Sequence, residues 1–271
     1  MGNIYTYNDS QLDHGIDNRD FYKNGEYDLL KAFLKRNHII FDIGAYQGDW
    51  VSSALSIAVP QYIFAFEPVE KSFKSMFEKH FFRENVKTFF GTVGDYVGKS
   101  KLYRYNNDQF SGMSNMFGNP EFEKENKIEV EEIEPNHVSI DEFCMTFNKI
   151  AQINYVKAKV EGAELLVVKG SRKMLSSGMI EFFAFEYGET YLKSKATLKE
   201  ICQIFAEYHY PIFRIIPEGL IHMTDWKDEF ENYKYCNYLA MNDKVSTLKE
   251  MSFIKYDPQS ISFDPSSNIP T

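Results

Sequence analysis

The chain has 271 residues, 44% of them hydrophobic and 16% aromatic, which is enough for one large globular domain with a full core and excludes a disordered chain. Its formal net charge is −9 with no block rich in Lys and Arg, which argues against a nucleic-acid partner. Cys144, Cys202 and Cys236 have no metal-ligand spacing, and no 18-residue apolar run or signal-peptide pattern is present, so a cytoplasmic protein without metal or membrane span is expected.

Residues 1–20 are polar and rich in Asn and Asp and read as a loose arm, so an N-terminal arm is placed over 1–24. Leu29, Leu30, Phe33 and Leu34 have helical spacing within 27–36. A short β-rich run over 38–42 leads into Gly44, a helix over 49–58 stops near Pro60, and a second strand over 62–67 stops at Pro68. An amphipathic helix over 69–82 and a third strand over 86–93 complete a β-α-β-α-β series, the pattern of a parallel sheet with right-handed crossovers. A strand over 100–105 precedes a long loop rich in Asn, Gly, Ser and Met over 106–126. Strands over 127–133, 153–160 and 180–186 alternate with helices over 139–147, 161–175 and 198–208. Two late strands, 211–216 and 235–241, have a turn at Glu218-Gly219 between them. The main domain is placed over 25–245 and a flexible tail over 246–271.

The chemistry concentrates at the first strand–helix turn. A hydrophobic strand ends in Asp42, and Gly44 and Gly48 bracket a tight turn into a helix. In open α/β sheets ligands bind outside the carboxyl ends of the strands, so this turn is the expected cofactor position. Glu67 ends the second strand, where an acidic residue can accept the two hydroxyls of a ribose. A nicotinamide dinucleotide would favour GxGxxG against its pyrophosphate, whereas this turn reads GAYQG with an acid before it. A carboxylate suits the ammonium of a methionine better than a pyrophosphate, which favours S-adenosylmethionine.

The segments FDIGAYQGDW, the FEP at 66–68, VGDYVG at 93–98 and VKAKVEGAELLVVKG at 156–170 resemble, in order and spacing, the FkbM family of S-adenosylmethionine-dependent O-methyltransferases. The resemblance covers about 38–241. It implies an α/β class I methyltransferase Rossmann-like fold, with a seven-stranded, mostly parallel sheet, its last strand antiparallel, and helices on both faces. It implies methyl transfer to a hydroxyl, often on a sugar or natural product. By position, Asp42, Gly44, Ala45, Tyr46 and Gly48 would line the methionine and ribose side. Glu67, with Pro68 beside it, would hold the ribose hydroxyls, and Gly94 and Asp95 would lie by the adenine. Glu161 and Glu164 would face or shape the reaction centre. The chain departs from the family at Lys159, where an Asp is usual.

Glu161, Lys159 and Glu186 are the candidate catalytic groups, all at the carboxyl edge of the sheet. A desolvated Lys159 could act as a base, stabilise an alkoxide, or mark a catalytically retired cofactor-binding scaffold. The segment 106–127, with Phe110, Ser111, Met113, Ser114 and Met116, is the candidate substrate lid. Tyr46, Trp50, Tyr187 and Tyr191 are candidates for stacking on a sugar or on adenine. The expected partner is a small-molecule or glycan acceptor rather than nucleic acid, and assembly of identical chains is compatible with the sequence.

Overall fold

The β-α-β-α-β series folds as its periodicity requires. In the computed structural model, which describes residues 3–6, 15–146 and 150–244, an edge strand β1 (Asn3–Thr6) precedes helix α1 (Glu26–Phe33). Then come β2 (Ile39–Ile43), α2 (Asp49–Ile57), β3 (Tyr62–Glu67), α3 (Glu70–His80) and β4 (Val86–Phe90). Strands β2, β3 and β4 pair in parallel, and β2 pairs in parallel with β10 (Ile153–Ala158) on its other side. The central strands are apolar on both faces because helices cover both. Phe41 and Ile43 join one core layer with Val156 and Phe183. Ile40 joins the other with Leu30, Phe33, Val51, Met76 and Phe182.

Between β4 and β10 lie three short strands, β5 (Thr92–Gly94), β6 (Gly98–Lys99) and β7 (Leu102–Tyr105). Helix α4 (Pro120–Glu125), strands β8 (Val130–Ile133) and β9 (Asn136–Ser139), and helix α5 (Ile140–Thr146) follow. After β10 the chain forms α6 (Glu164–Lys169), α7 (Arg172–Ser176), β11 (Ile180–Tyr187), α8 (Thr190–Ser194) and α9 (Leu198–Glu207). The last described elements are β12 (Ile212–Ile216), β13 (Gly219–His222) and β14 (Cys236–Met241). The main sheet has the order β1-β13-β12-β14-β11-β10-β2-β3-β4. Strand β14 is antiparallel to both neighbours, β11 and β12. The run from β12 to β4 is therefore the expected seven-stranded class I arrangement. The order reverses between β2 and β10, the switch point at which such sheets bind ligands.

Several expectations need correction. Among the described residues the sheet has nine strands, because the Glu218-Gly219 turn opens a β12–β13 hairpin and residues 3–6, expected in a loose arm, pair in parallel with β13. The strand expected over 86–93 divides: β4 stays in the main sheet, while β5 pairs with β9 in a second sheet. The helix expected over 161–175 is broken. Glu161 and Gly162 turn with positive φ, 54° and 97°, and a Cβ on Gly170 would lie 1.8 Å from the Gly94 carbonyl oxygen, so the chain is pressed against β5 there. The long loop contains a 3-10 turn at Ser111–Met113 and helix α4, capped by the Asn119 side chain. The tail over 246–271 lies outside the described residues.

Candidate active site

The turn after β2 is fixed from three sides. Gly44 has φ 76°, and a Cβ there would lie 1.9 Å from the Lys159 carbonyl oxygen, so only glycine lets β10 pass this close. The Gly44 and Ala45 N–H groups both donate to the Phe66 carbonyl, at 3.1 and 2.9 Å. One residue on, the Tyr46 N–H donates to Glu67 Oε2, and the Val69 N–H donates to Glu67 Oε1, each at 2.8 Å. Glu67 is buried. Burial pushes its carboxyl up to about 7, against the pull of the two N–H groups and Lys157, with Asp42 reinforcing the rise.

Glu67 opens onto a cleft at the switch point, the place where such sheets bind ligands. Phe66, Pro68, Thr92, Val93, Leu102 and Met116 form the β3–β4 side, and Gly44, Val160 and Glu161 the β10 side. Tyr46 spans the cleft, its hydroxyl 3.2 Å from Ser111 Oγ and its ring packed on Gly112. Ser111, Ser114 and Met116 of the candidate lid also line the cleft, whereas Phe110 packs edge-on against Phe122 outside it.

The end of β10 carries the other candidates. Glu161 lines the cleft. Burial, reinforced by nearby Glu186, pushes its carboxyl up to about 8, against Arg19, Lys159 and Lys157. Glu186 is buried beside the same group, and burial pushes it up too, against Lys159 and Lys157. Among the described residues neither carboxyl forms a hydrogen bond or ion pair. Lys159 contributes to the cleft wall, but its Nζ is 2.8 Å from Glu26 Oε2 and donates to the Tyr235 hydroxyl at 3.2 Å. Burial alone would lower its proton affinity, yet Glu26, Tyr235 and Glu186 outweigh burial and raise it well above the ordinary range. The ammonium is thus held, which corrects the expectation that Lys159 could act as a base. Glu164 turns inward: its carboxylate accepts from the Val160 and Gly162 N–H groups at 2.7 and 3.0 Å and closes the turn.

Other expected residues lie away from the cleft. Asp42 is fully buried. It pairs with its β10 register partner Lys157, Nζ to Oδ1 2.9 Å, because alternation along β2 turns Asp42 to the Ile40 face. Ala45 is buried behind the turn, and Gly48 starts α2 with its carbonyl 2.9 Å from His80 Nε2. Gly94 packs on His137 and Gly170, and Asp95 is exposed, so Thr92 and Val93 take the wall expected of them. Trp50 packs on Tyr155, and Tyr187 and Tyr191 are core residues. Sequence reasoning missed Lys157, although its two-residue spacing from Lys159 put it on the same strand face. It also missed Glu26, which carried no signal beyond an acid in a first helical turn. Among the described residues no group of three His, Cys, Asp or Glu side chains could hold a metal ion, and no helix is long and apolar enough to cross a membrane.

A seven-strand doubly wound core with β14 antiparallel between β11 and β12 is the class I methyltransferase fold. A model of the FkbM methyltransferase domain matches residues 42–212, and the chain belongs to this family of S-adenosylmethionine-dependent methyltransferases. Among solved structures it is similar to an FkbM methyltransferase from Methylobacillus flagellatus, with 13% identity and a TM-score of 0.46 over 76% of this chain. The chain spans only 44% of the length of that structure. It is also similar to Aeropyrum pernix fibrillarin with bound S-adenosyl-L-methionine (12% identity, TM-score 0.40, covering 84% of this chain and 86% of that one). A third match is a Streptococcus mutans structure described as a methyltransferase in complex with SAH (12% identity, TM-score 0.39, covering 80% and 95%). No curated protein matches the chain.

Proposed function

We propose that this chain methylates a hydroxyl on a sugar, glycan or glycosylated metabolite, with Glu161 as the base that takes the hydroxyl proton. The observation that carries this reading is the Glu161 carboxyl, unpaired among the described residues and raised to about 8, in the wall of the cofactor cleft. A hydroxyl is a poor nucleophile, and a base with proton affinity near the working pH is the group that remedies this. The residues present fit the cofactor: Glu67 offers an anchored carboxyl to a ribose, and Phe66, Val93 and Leu102 offer apolar surface to an adenine. When bound, S-adenosylmethionine supplies an electrophilic methyl group. The chain's own residues orient that group, exclude water and remove a proton.

The acceptor class follows the family resemblance, and the net charge of −9 favours a non-polyanionic acceptor. Lys159 gives no support to a retired scaffold, because its ammonium belongs to the Glu26 pair and Glu161 is a second candidate for the base. The test is methyl transfer from labelled S-adenosylmethionine to a panel of glycosides, simple alcohols, amines and structured RNA, with the methylated atom mapped by mass spectrometry. Transfer to glycoside oxygen, reduced by Glu161→Gln, supports the reading. Transfer confined to nitrogen or to RNA, or cofactor binding without transfer to any acceptor, overturns it.

A further inference from the structure

The Asp42–Lys157 pair has no place in the proton-transfer chemistry, yet it lies directly beneath the cofactor turn. Both side chains are buried, Asp42 completely. Lys157 Nζ makes three contacts: the ion pair with Asp42, a 2.6 Å hydrogen bond to the Gly44 carbonyl and a 3.4 Å contact to the Ile43 carbonyl. Those carbonyls belong to the two peptide units whose N–H groups, on Gly44 and Ala45, donate to Phe66. Each of these peptide units is therefore bound at both ends, by Phe66 on one side and Lys157 on the other. The next peptide unit in the chain presents the Tyr46 N–H to Glu67. The hydrogen bond that aims the Glu67 carboxylate thus begins at the tip of the turn Lys157 holds.

We propose that Lys157, neutralised by Asp42, is a positioning residue for cofactor binding: it clamps the Gly44–Ala45 peptide so that the Tyr46 N–H orients Glu67 toward the ribose. Neutralisation of Asp42 alone would need only a cation nearby. The 2.6 Å bond to the Gly44 carbonyl is a second use of the same ammonium, directed at the cofactor turn. Lysine suits this double use because its compact ammonium has three donors. The inference rests on the proposed contact between Glu67 and the ribose.

The charged groups acting on Glu67 are Lys157, which lowers its proton affinity, and Asp42, which raises it. Removing both takes away one influence of each sign together, so the double variant reports the geometry of the Tyr46 N–H more directly than either single change. The experiment titrates S-adenosylhomocysteine into wild type, Lys157→Met, and the double variant Asp42→Asn/Lys157→Met, from pH 5.5 to 8.5, alongside thermal unfolding. Lys157→Met strands a buried carboxylate and can fail to fold. The double variant removes both charges, so neither is left buried without its partner. In the double variant we expect a near wild-type unfolding temperature, at least tenfold weaker binding and a binding midpoint moved above pH 7. Wild-type affinity and pH midpoint in the double variant would overturn the proposal and leave Lys157 as a counter-charge only. A wild type that binds with no pH dependence would instead count against Glu67 as the ribose contact, a separate failure.

Discussion

Burial of Glu67 ties cofactor affinity to pH. Its carboxyl is pushed from an ordinary value of 4.5 to about 7, so the free protein is about nine-tenths ionised at this site at pH 8 and about one-tenth ionised at pH 6. Two ribose hydroxyls donate to a carboxylate, and a protonated carboxyl has lost one acceptor to its own proton. If only the ionised form binds well, affinity for S-adenosylhomocysteine falls about tenfold from pH 8 to pH 6, about 1.4 kcal/mol. The effect on stability has the opposite sense. Because the folded value lies above the unfolded one, the native state holds a proton that the unfolded chain has released between 4.5 and about 7. Stability contributed by this group is full below 4.5 and is lost as pH rises through that window. Ligand binding near pH 7 should therefore release a fraction of a proton. Calorimetric titration at several pH values, in two buffers of different ionisation enthalpy, measures the affinity and the proton release together. In Glu67→Gln the affinity at pH 8 should fall at least tenfold and its pH dependence flatten. A flat wild-type profile, or a slope that survives in Glu67→Gln, would refute the assignment.

Three further outcomes are expected. Gly44→Ala forces a Cβ to 1.9 Å from the Lys159 carbonyl at φ 76°, adding about 1–2 kcal/mol of left-handed strain and about 1–3 kcal/mol of overpacking. Chemical denaturation should show the combined loss, and unchanged stability would mean that β10 does not approach the turn this closely. Glu161→Gln should lower kcat by about 10²–10⁴ with cofactor affinity within about threefold, and the wild-type rate should rise with pH toward a plateau above about 8; an unchanged kcat would remove Glu161 as the base. Lys159→Asp, which brings the sequence to the usual family residue, should destabilise by about 3–5 kcal/mol, because it strips Glu26 of its cation and adds a third carboxyl near Glu26 and Glu186. Equal stability of Lys159→Asp and wild type in urea denaturation would contradict the pairing.

Local rules placed Gly44, Tyr46 and Glu67 where the structure has the cleft and misplaced other residues expected there. Strand β3 was legible to the residue, because an apolar run bounded by Glu67-Pro68 leaves little freedom. Gly44 and Glu67 were legible for the same reason: a tight turn and a strand-end acid are properties of a few consecutive residues. Gly94 and Asp95 were misplaced because the course of the chain after Phe90 is set by pairing of β5 with β9, forty-five residues further on. The β12–β13 hairpin was hidden because Glu218-Gly219 signals a turn but not whether the chain doubles back directly. The role of Asp42 failed on alternation. It ends an apolar strand, as a ligand would, but the face it occupies is decided by the β2–β10 register, which places Lys157 beside it. Lys159 was read from type and position alone, and its state depends on Glu26, 133 residues away.

The glutamates at the carboxyl end of this sheet show how partners, rather than residue type, divide the work. Glu26 is fixed by Lys159 and by the Asn24 side chain at 2.7 Å, and Glu164 by two backbone N–H groups; both are satisfied within the chain and can only brace it. Glu67 is held by two backbone donors yet still opens onto the cleft, so it is rigidly aimed and suited to recognition. Glu161 opens onto the cleft with no fixed partner among the described residues, so it is free to exchange a proton. Glu186, buried beside it and likewise without a side-chain partner among the described residues, opposes a second negative charge nearby and so raises the affinity of Glu161 for that proton. Lys159 belongs to the bracing set. Its charge is met by Glu26 from α1, so the ammonium is taken up within the scaffold and leaves the two cleft carboxyls, Glu67 and Glu161, without a cation at ion-pair distance among the described residues.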